Sequence, residues 1–195
     1  MRFIESILFV NGKYHNLDLH QKRMVQTFDR FMPGASSHQL EDILPKFALD
    51  GRYKVRVVYD ADYDIEVSAY HPKKITSLKV IESGHFDYSY KFENRSHINE
   101  LLNQSKADDI IISIDGQVTD SSYSNLVFWD GRDWFTPDTP LLNGVKRQQL
   151  LKEKRIKEAS ISVNDLQTFQ KVSLINAMLD PGEVEIQFSV VDSFT

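Results

Sequence analysis

The chain has 195 residues, 41% of them hydrophobic and 26% charged, the balance of a globular protein able to bury a sizeable core. A net charge of −5 excludes broad binding to a phosphate backbone, and the absence of cysteine excludes disulfides, thiolate metal sites and a cysteine nucleophile. No apolar run approaches the ~20 residues that span a bilayer, and the charged start Met1-Arg2-Phe3-Ile4-Glu5 is unlike a signal peptide, so a cytoplasmic protein without nucleic-acid or membrane partners is expected.

Turn chemistry punctuates the chain. Phe3 to Val10 reads as a strand ending at Asn11-Gly12, a pair suited to a type I′ hairpin because both central positions need positive φ. Leu17 to Phe31 carries Met24, Val25, Phe28 and Phe31 at helical spacing, and Pro33-Gly34 stops it. Ser36 with Gln39 resembles a capping box opening a helix over Ser37 to Leu49, with Pro45 placed to shorten or kink it. Tyr53 to Tyr59 alternates, with Val55, Val57 and Tyr59 on one face and Lys54 and Arg56 on the other.

His71-Pro72-Lys73-Lys74 is the best linker candidate, dividing a small α+β domain (1–70) from a larger one (77–195) across residues 71–76. Tyr88 to Phe92 reads as an aromatic strand with Lys91 opposite Tyr88, Tyr90 and Phe92, and Asn94 to Ser105 as a helix. Asp115-Gly116 joins Ile110–Ile114 to Gln117–Thr119, and Asp130-Gly131 joins Asn125–Trp129 to Asp133–Thr136, both as two-residue hairpins. A helix over Val145 to Ile156, a helical turn over Asp165 to Gln170 and an alternating strand from Val184 to Val190 complete the reading. Strands and helices are grouped in pairs, which predicts an α+β fold with mainly antiparallel sheets.

Residue by residue, the chemistry stays open. Lys91 is by default a solvated lysine on an amphipathic strand, and alternatively a partly desolvated amine suited to Schiff-base chemistry. Asp120 is by default a turn residue and Arg23 a surface charge on the first helix.

Taken together, five segments are in register with something more specific. Phe3-Ile4-Glu5-Ser6 with Asn11-Gly12 leads to His20-Gln21-Lys22-Arg23; Lys91-Phe92-Glu93-Asn94-Arg95 follows; Val118-Thr119-Asp120-Ser121-Ser122-Tyr123-Ser124-Asn125-Leu126 places an acid five residues before an asparagine. Leu142-Asn143-Gly144-Val145-Lys146-Arg147 and Leu174-Ile175-Asn176-Ala177-Met178 come last. In this order the chain resembles the class IV aminotransferase family, the fold-type IV pyridoxal 5′-phosphate enzymes that include branched-chain and D-amino acid aminotransferases and 4-amino-4-deoxychorismate lyases.

The resemblance implies that Lys91 is the Schiff-base lysine and proton shuttle, and that Asp120 pairs with the protonated pyridine nitrogen. It implies that Arg23 forks onto the cofactor phosphate, joined by Gly144, Val145 and Lys146 at a helix start. Arg95 corresponds to a contact of the cofactor's phenolic oxygen in some members. Arg56 is either a receptor for a substrate carboxylate or a cross-strand partner of a surface acid; Asn176 and Ala177 border the pocket or simply end a strand. No metal is implied. Asp120 is one methylene shorter than the usual glutamate, Lys146 stands where threonine is common, and Ile4 replaces an aromatic residue. The chain also starts at the first hairpin, without the strand that precedes it in longer relatives.

Family resemblance further implies a homodimer whose pocket lies between the domains and is completed by the other subunit. Asn176-Ala177-Met178 favours 4-amino-4-deoxychorismate lyase over an amino acid aminotransferase. The remaining alternatives are a degenerate member that binds without turnover and a non-catalytic α+β domain.

Overall fold

The computed structural model describes residues 1–48 and 50–188, which fall into two compact units. Met1–His71 and the short segment Tyr90–Asn94 make the first, and Pro72–Ser89 with the chain from Arg95 onward makes the second. Tyr90–Asn94 therefore packs apart from the stretch in which the sequence places it. Ile4 N donates to Lys91 O at 2.9 Å, Glu93 N donates to Arg2 O at 2.9 Å, and the Phe92 ring lies 5.3 Å from that of Phe3.

In the first unit, β1 (Phe3–Val10), β2 (Lys13–Tyr14), β3 (Arg52–Tyr59) and β4 (Tyr63–Ala69) form an antiparallel sheet in the order β2-β1-β3-β4. Asn11 and Gly12 have φ of 51° and 76°, as the type I′ turn requires. The period of two places Phe3, Ile7 and Phe9 on one face, where register sets Phe3 against Tyr59 and Ile7 against Val55. Helix α1 (Leu17–Phe31) lays Met24 and Phe28 onto that face and ends where Met32 N bonds Phe28 O, just before Pro33-Gly34. Each such side chain contributes about 1.5–3 kcal/mol on burial, enough together to offset one charged cluster placed among them.

The second helix is far shorter than its apolar pattern predicts. Helix α2 covers only Leu40–Ile43, because Pro45 forces Leu44 into the extended region and the helix cannot continue through it. The Ser36–Gln39 capping box does not form; Gln39 is the N-cap, and the Gln21 side chain accepts from Leu40 N at 2.7 Å. Strand β4 escapes sequence reading because almost all of it is exposed, Tyr63 and Val67 included.

In the second unit, β5 (Leu78–Glu82), β6 (Asp109–Ile114), β7 (Gln117–Ser121), β8 (Asn125–Trp129), β9 (Trp134–Pro137) and β10 (Lys157–Ala159) run in the order β10-β9-β8-β7-β6-β5. Strand β11 (Lys171–Ile175) pairs with β8 and with β12 (Glu185–Gln187). Among the described residues only β5/β6 and β9/β10 are parallel; the other pairs are antiparallel, in keeping with an α+β fold. Helix α3 (Ser96–Ser105) packs Ile98 and Leu101 on Ile110 and Ile112 of β6. Helix α4 (Val145–Lys152) stops before Ile156, and Lys154 turns the chain at φ 57°.

Four local expectations are corrected. Tyr88–Phe92 is no strand: Tyr88 joins the α3 cluster, whereas Tyr90 and Phe92 join the core of the first unit. Asp130-Gly131 is part of a longer loop, in which the Asp130 carboxylate accepts from the Arg132 and Asp133 amides at 2.7 Å each. The turn expected at Asp165 is a 3₁₀ helix over Val163–Thr168, opened by a Ser162–Asp165 capping box. The last strand is confined to β12, and Ser189 and Val190 lie outside the described residues. No described helix is long and apolar enough to cross a membrane.

Candidate active site

Alternation along β1 points Glu5 inward, between Phe3 and Ile7, where a carboxylate is costly unless paired. Helix α1 supplies the partners: His20 and Arg23, three apart, present one face to the strand. Arg23 donates Nε to Glu5 Oε1 at 2.8 Å and Nη2 to Oε2 at 2.5 Å, and His20 Nδ1 lies 2.6 Å from Oε2. Burial alone pushes the Glu5 carboxyl up, but the Arg23 guanidinium and the His20 bond together hold it down at about 2.

Burial also lowers His20, with Glu5 opposing and the Arg23 and Lys91 charges adding, so the ring is neutral near pH 7. A carboxylate can only accept, so His20 donates from Nδ1 and leaves Nε2 as a buried acceptor without a partner among the described atoms. Arg23 is thus no surface charge: its guanidinium is buried and forks onto Glu5 through Nε and Nη2. Lys91 sits in the same unit, its backbone fixed by Ile4 and its side chain partly buried. Arg56 takes the cross-strand role, with Nη1 3.3 Å from Glu66 and Nη2 3.2 Å from Glu93.

The second unit assembles the other candidates around the turn from β7 to β8. Asp120 faces Asn125 across the strand pair; its Oδ1 accepts from Asn125 Nδ2 at 2.7 Å and its Oδ2 from Leu142 N at 2.9 Å. Asn125 also donates to Leu142 O at 2.8 Å. Gly144 is packed hard against this amide: a Cβ there would lie 2.1 Å from Asn125 Oδ1. The same glycine is the N-cap of α4 and provides no side-chain cap. No side-chain cap therefore covers the first amides of the helix, and Val145, Lys146 and Arg147 of that turn are buried. The Lys146 ammonium, almost wholly buried, is 3.1 Å from Asp180. Backbone amides and a buried ammonium at a helix start are the donor chemistry of a phosphate.

Of the remaining candidates, Asn176 spends its amide on structure, donating to Ser124 Oγ at 2.9 Å and accepting from Met178 N at 2.8 Å. Ala177 has only its backbone to offer. Arg95 donates through Nη2 to the carbonyl of Ser122. The structure thus groups Arg23, Arg56 and Lys91 in the first unit and Arg95, Asp120, Gly144, Val145, Lys146, Asn176 and Ala177 in the second.

Sequence reading left Glu5, His20, Asn125 and Asp109 without roles of their own. Glu5 was detectable as a lone acid at an inward position between Phe3 and Ile7. Asp109, fully buried at the start of β6, had no such signal.

A family description, amino-transferase class IV, matches residues 2–184. An uncharacterized protein of Haemophilus influenzae is 35% identical over 181 residues, 89% of this chain and 96% of that one. A crystal structure from Haemophilus somnus, described as a candidate 4-amino-4-deoxychorismate lyase, is 34% identical with a TM-score of 0.85, covering 91% of this chain and 96% of that one. A hypothetical aminotransferase from Mycobacterium tuberculosis in its pyridoxal-phosphate-bound form shares the fold at 16% identity, with a TM-score of 0.76 over 98% of this chain and 81% of that one. Matched along nearly its whole length, the chain belongs to the class IV aminotransferases, pyridoxal-phosphate enzymes of fold type IV.

Proposed function

We propose that the protein is a pyridoxal-phosphate-dependent lyase that splits 4-amino-4-deoxychorismate into 4-aminobenzoate and pyruvate. The observation that carries the cofactor assignment is the start of α4, which has no side-chain cap and whose first turn carries the buried Val145, Lys146 and Arg147. The donor set there and the buried acid at Asp120 fit a phosphorylated pyridine. In the second unit Val145, Lys146 and the Ala177 amide would hold the phosphate, with Gly144 giving the backbone its close approach, and the family resemblance assigns Arg23 to the same group. When bound, pyridoxal phosphate supplies an electron sink for the pair released as a bond at the substrate breaks.

Lys91 would supply the amine that holds the cofactor and, through Nζ, would move a proton to and from the substrate. Asp120 supplies negative charge for the protonated ring nitrogen; Asn125 and the Leu142 amide orient its carboxylate. Glu5 holds one edge of Arg23, so the phosphate would meet an arginine already fixed in direction.

The likeness to the Haemophilus somnus protein supports the substrate. A homodimer in the cytoplasm is part of the same proposal. Purified protein loaded with pyridoxal phosphate should release 4-aminobenzoate and pyruvate in equal amounts from 4-amino-4-deoxychorismate, with no 2-oxo acid added. Inactivity on that compound together with amino transfer to 2-oxoglutarate would replace the lyase by an aminotransferase. Bound cofactor that responds to neither substrate would favour a member without turnover.

A further inference from the structure

The turn after Asp120 closes on itself: Ser121 N donates to Ser124 O at 2.8 Å, and Ser121 Oγ accepts from Tyr123 N at 3.3 Å and Ser124 N at 3.0 Å. These bonds leave out the N–H and C=O of Ser122. Two charged side chains take them up. Asp109 Oδ1 accepts from Ser122 N at 3.2 Å, and Arg95 Nη2 donates to Ser122 O. Asp109 is the first residue of β6 and Arg95 is the N-cap of α3, so both grips start from regular elements.

We infer that Arg95 and Asp109 are positioning residues that hold the turn following Asp120, and through it the Asp120 carboxylate, by gripping Ser122 at both of its polar groups. This rests on the reading that Asp120 serves the cofactor ring.

The cost of the arrangement supports it. Asp109 is fully buried with Oδ2 unpartnered among the described atoms, and Arg95 Nε is buried without a hydrogen-bond partner. Burial pushes the Asp109 carboxyl above its usual range, against the bonds from Ser122, Ser121 and Ile110. A neutral side chain would fill the site with less penalty. A charged group gives the stronger hydrogen bond to a peptide and holds it in one place. Asp120 adjoins Ser121, so a shift of Ser122 is transmitted within two residues. Arg95 acts here through the loop, where the family resemblance offered it a direct contact with the cofactor.

The test uses amide hydrogen exchange by NMR on the cofactor-free protein, and kinetics and absorption on the loaded enzyme. Asp109→Ala and Arg95→Ala should each speed exchange of the Ser122 and Ser124 amides by ~10-fold or more, the scale of a lost charged hydrogen bond. Asp109→Asn keeps an acceptor at Oδ1 and should restore most of the protection. In the loaded enzyme the alanine variants should lower kcat by ~10-fold or more, move KM by less than ~3-fold, and shift the cofactor absorption band. If Asp109→Ala does not fold, Arg95→Lys and Asp109→Asn make the same comparison. Unchanged exchange in both alanine variants overturns the grip. Faster exchange with wild-type kcat and spectrum overturns the positioning role. Separately, Asp120→Ala with wild-type kcat and spectrum would overturn the role of Asp120, and the exchange result would stand without it.

Discussion

Glu5 decides the character of the first unit's core. Its carboxyl is held at about 2, against an ordinary 4.5, so it stabilises the fold fully above pH 4.5 and loses that contribution as pH falls toward 2. The difference amounts to on the order of 3 kcal/mol. His20 adds to the same trend. Its folded-state pKa is lowered, so the neutral ring stabilises fully above 6.5 and progressively less as pH falls below that value. Thermal melts should show Glu5→Gln lowering Tm at pH 7 by roughly 6–12 °C, with the gap to wild type narrowing below pH 4.5. A gap independent of pH would mean that Glu5 is not held as a charged partner of Arg23. Arg23→Ala should weaken pyridoxal-phosphate affinity by on the order of 2–3 kcal/mol, measured by fluorescence titration. Unchanged cofactor affinity with a raised substrate KM would instead assign Arg23 to the substrate.

At the scale of the element, the sharpest constraint is where α4 begins. Gly144 has φ −64° and ψ 149°, a conformation open to any residue, so its identity is a matter of space alone. Gly144→Ala puts a methyl into the Asn125 amide, which must then release Asp120 or Leu142. The expected cost is about 1–3 kcal/mol of stability, with weaker cofactor binding by the same titration. A variant with the wild-type Tm would show that the backbone can yield there.

Elements bounded by turn chemistry were legible from the sequence: β1 up to Asn11-Gly12, α1 up to Pro33-Gly34, and the β6–β7 hairpin at Asp115-Gly116. Elements that depend on distant partners were not. β5 becomes a strand by lying parallel to β6, and β4 by pairing with β3 while exposed. Periodicity overstated α2 because four apolar residues at helical spacing cannot outweigh one proline. The candidate site divides in the same way. Lys91 and Asp120 become candidates from their neighbours in sequence alone. The partners of Arg23 and Ser122 do not, because Glu5 is 18 residues from Arg23 and Asp109 is 13 from Ser122.

On the scale of the whole molecule, the family fold accommodates one chain of 22.6 kDa with Tyr63 and Val67 exposed on an edge strand. Sedimentation equilibrium at micromolar concentration should give twice the chain mass, with or without cofactor. An obligate interface of this kind buries roughly 2,000 Å² or more. A monomer that binds cofactor and turns over substrate would refute the dimer. All the proposed chemistry depends on one amine among several, and covalent mapping addresses it directly. After loading with pyridoxal phosphate, borohydride should fix the pyridoxyl group on the peptide containing Lys91, and Lys91→Ala should take up no label while keeping the wild-type melting profile. A label on Lys79, Lys106 or Lys146 in place of Lys91 would contradict the assignment.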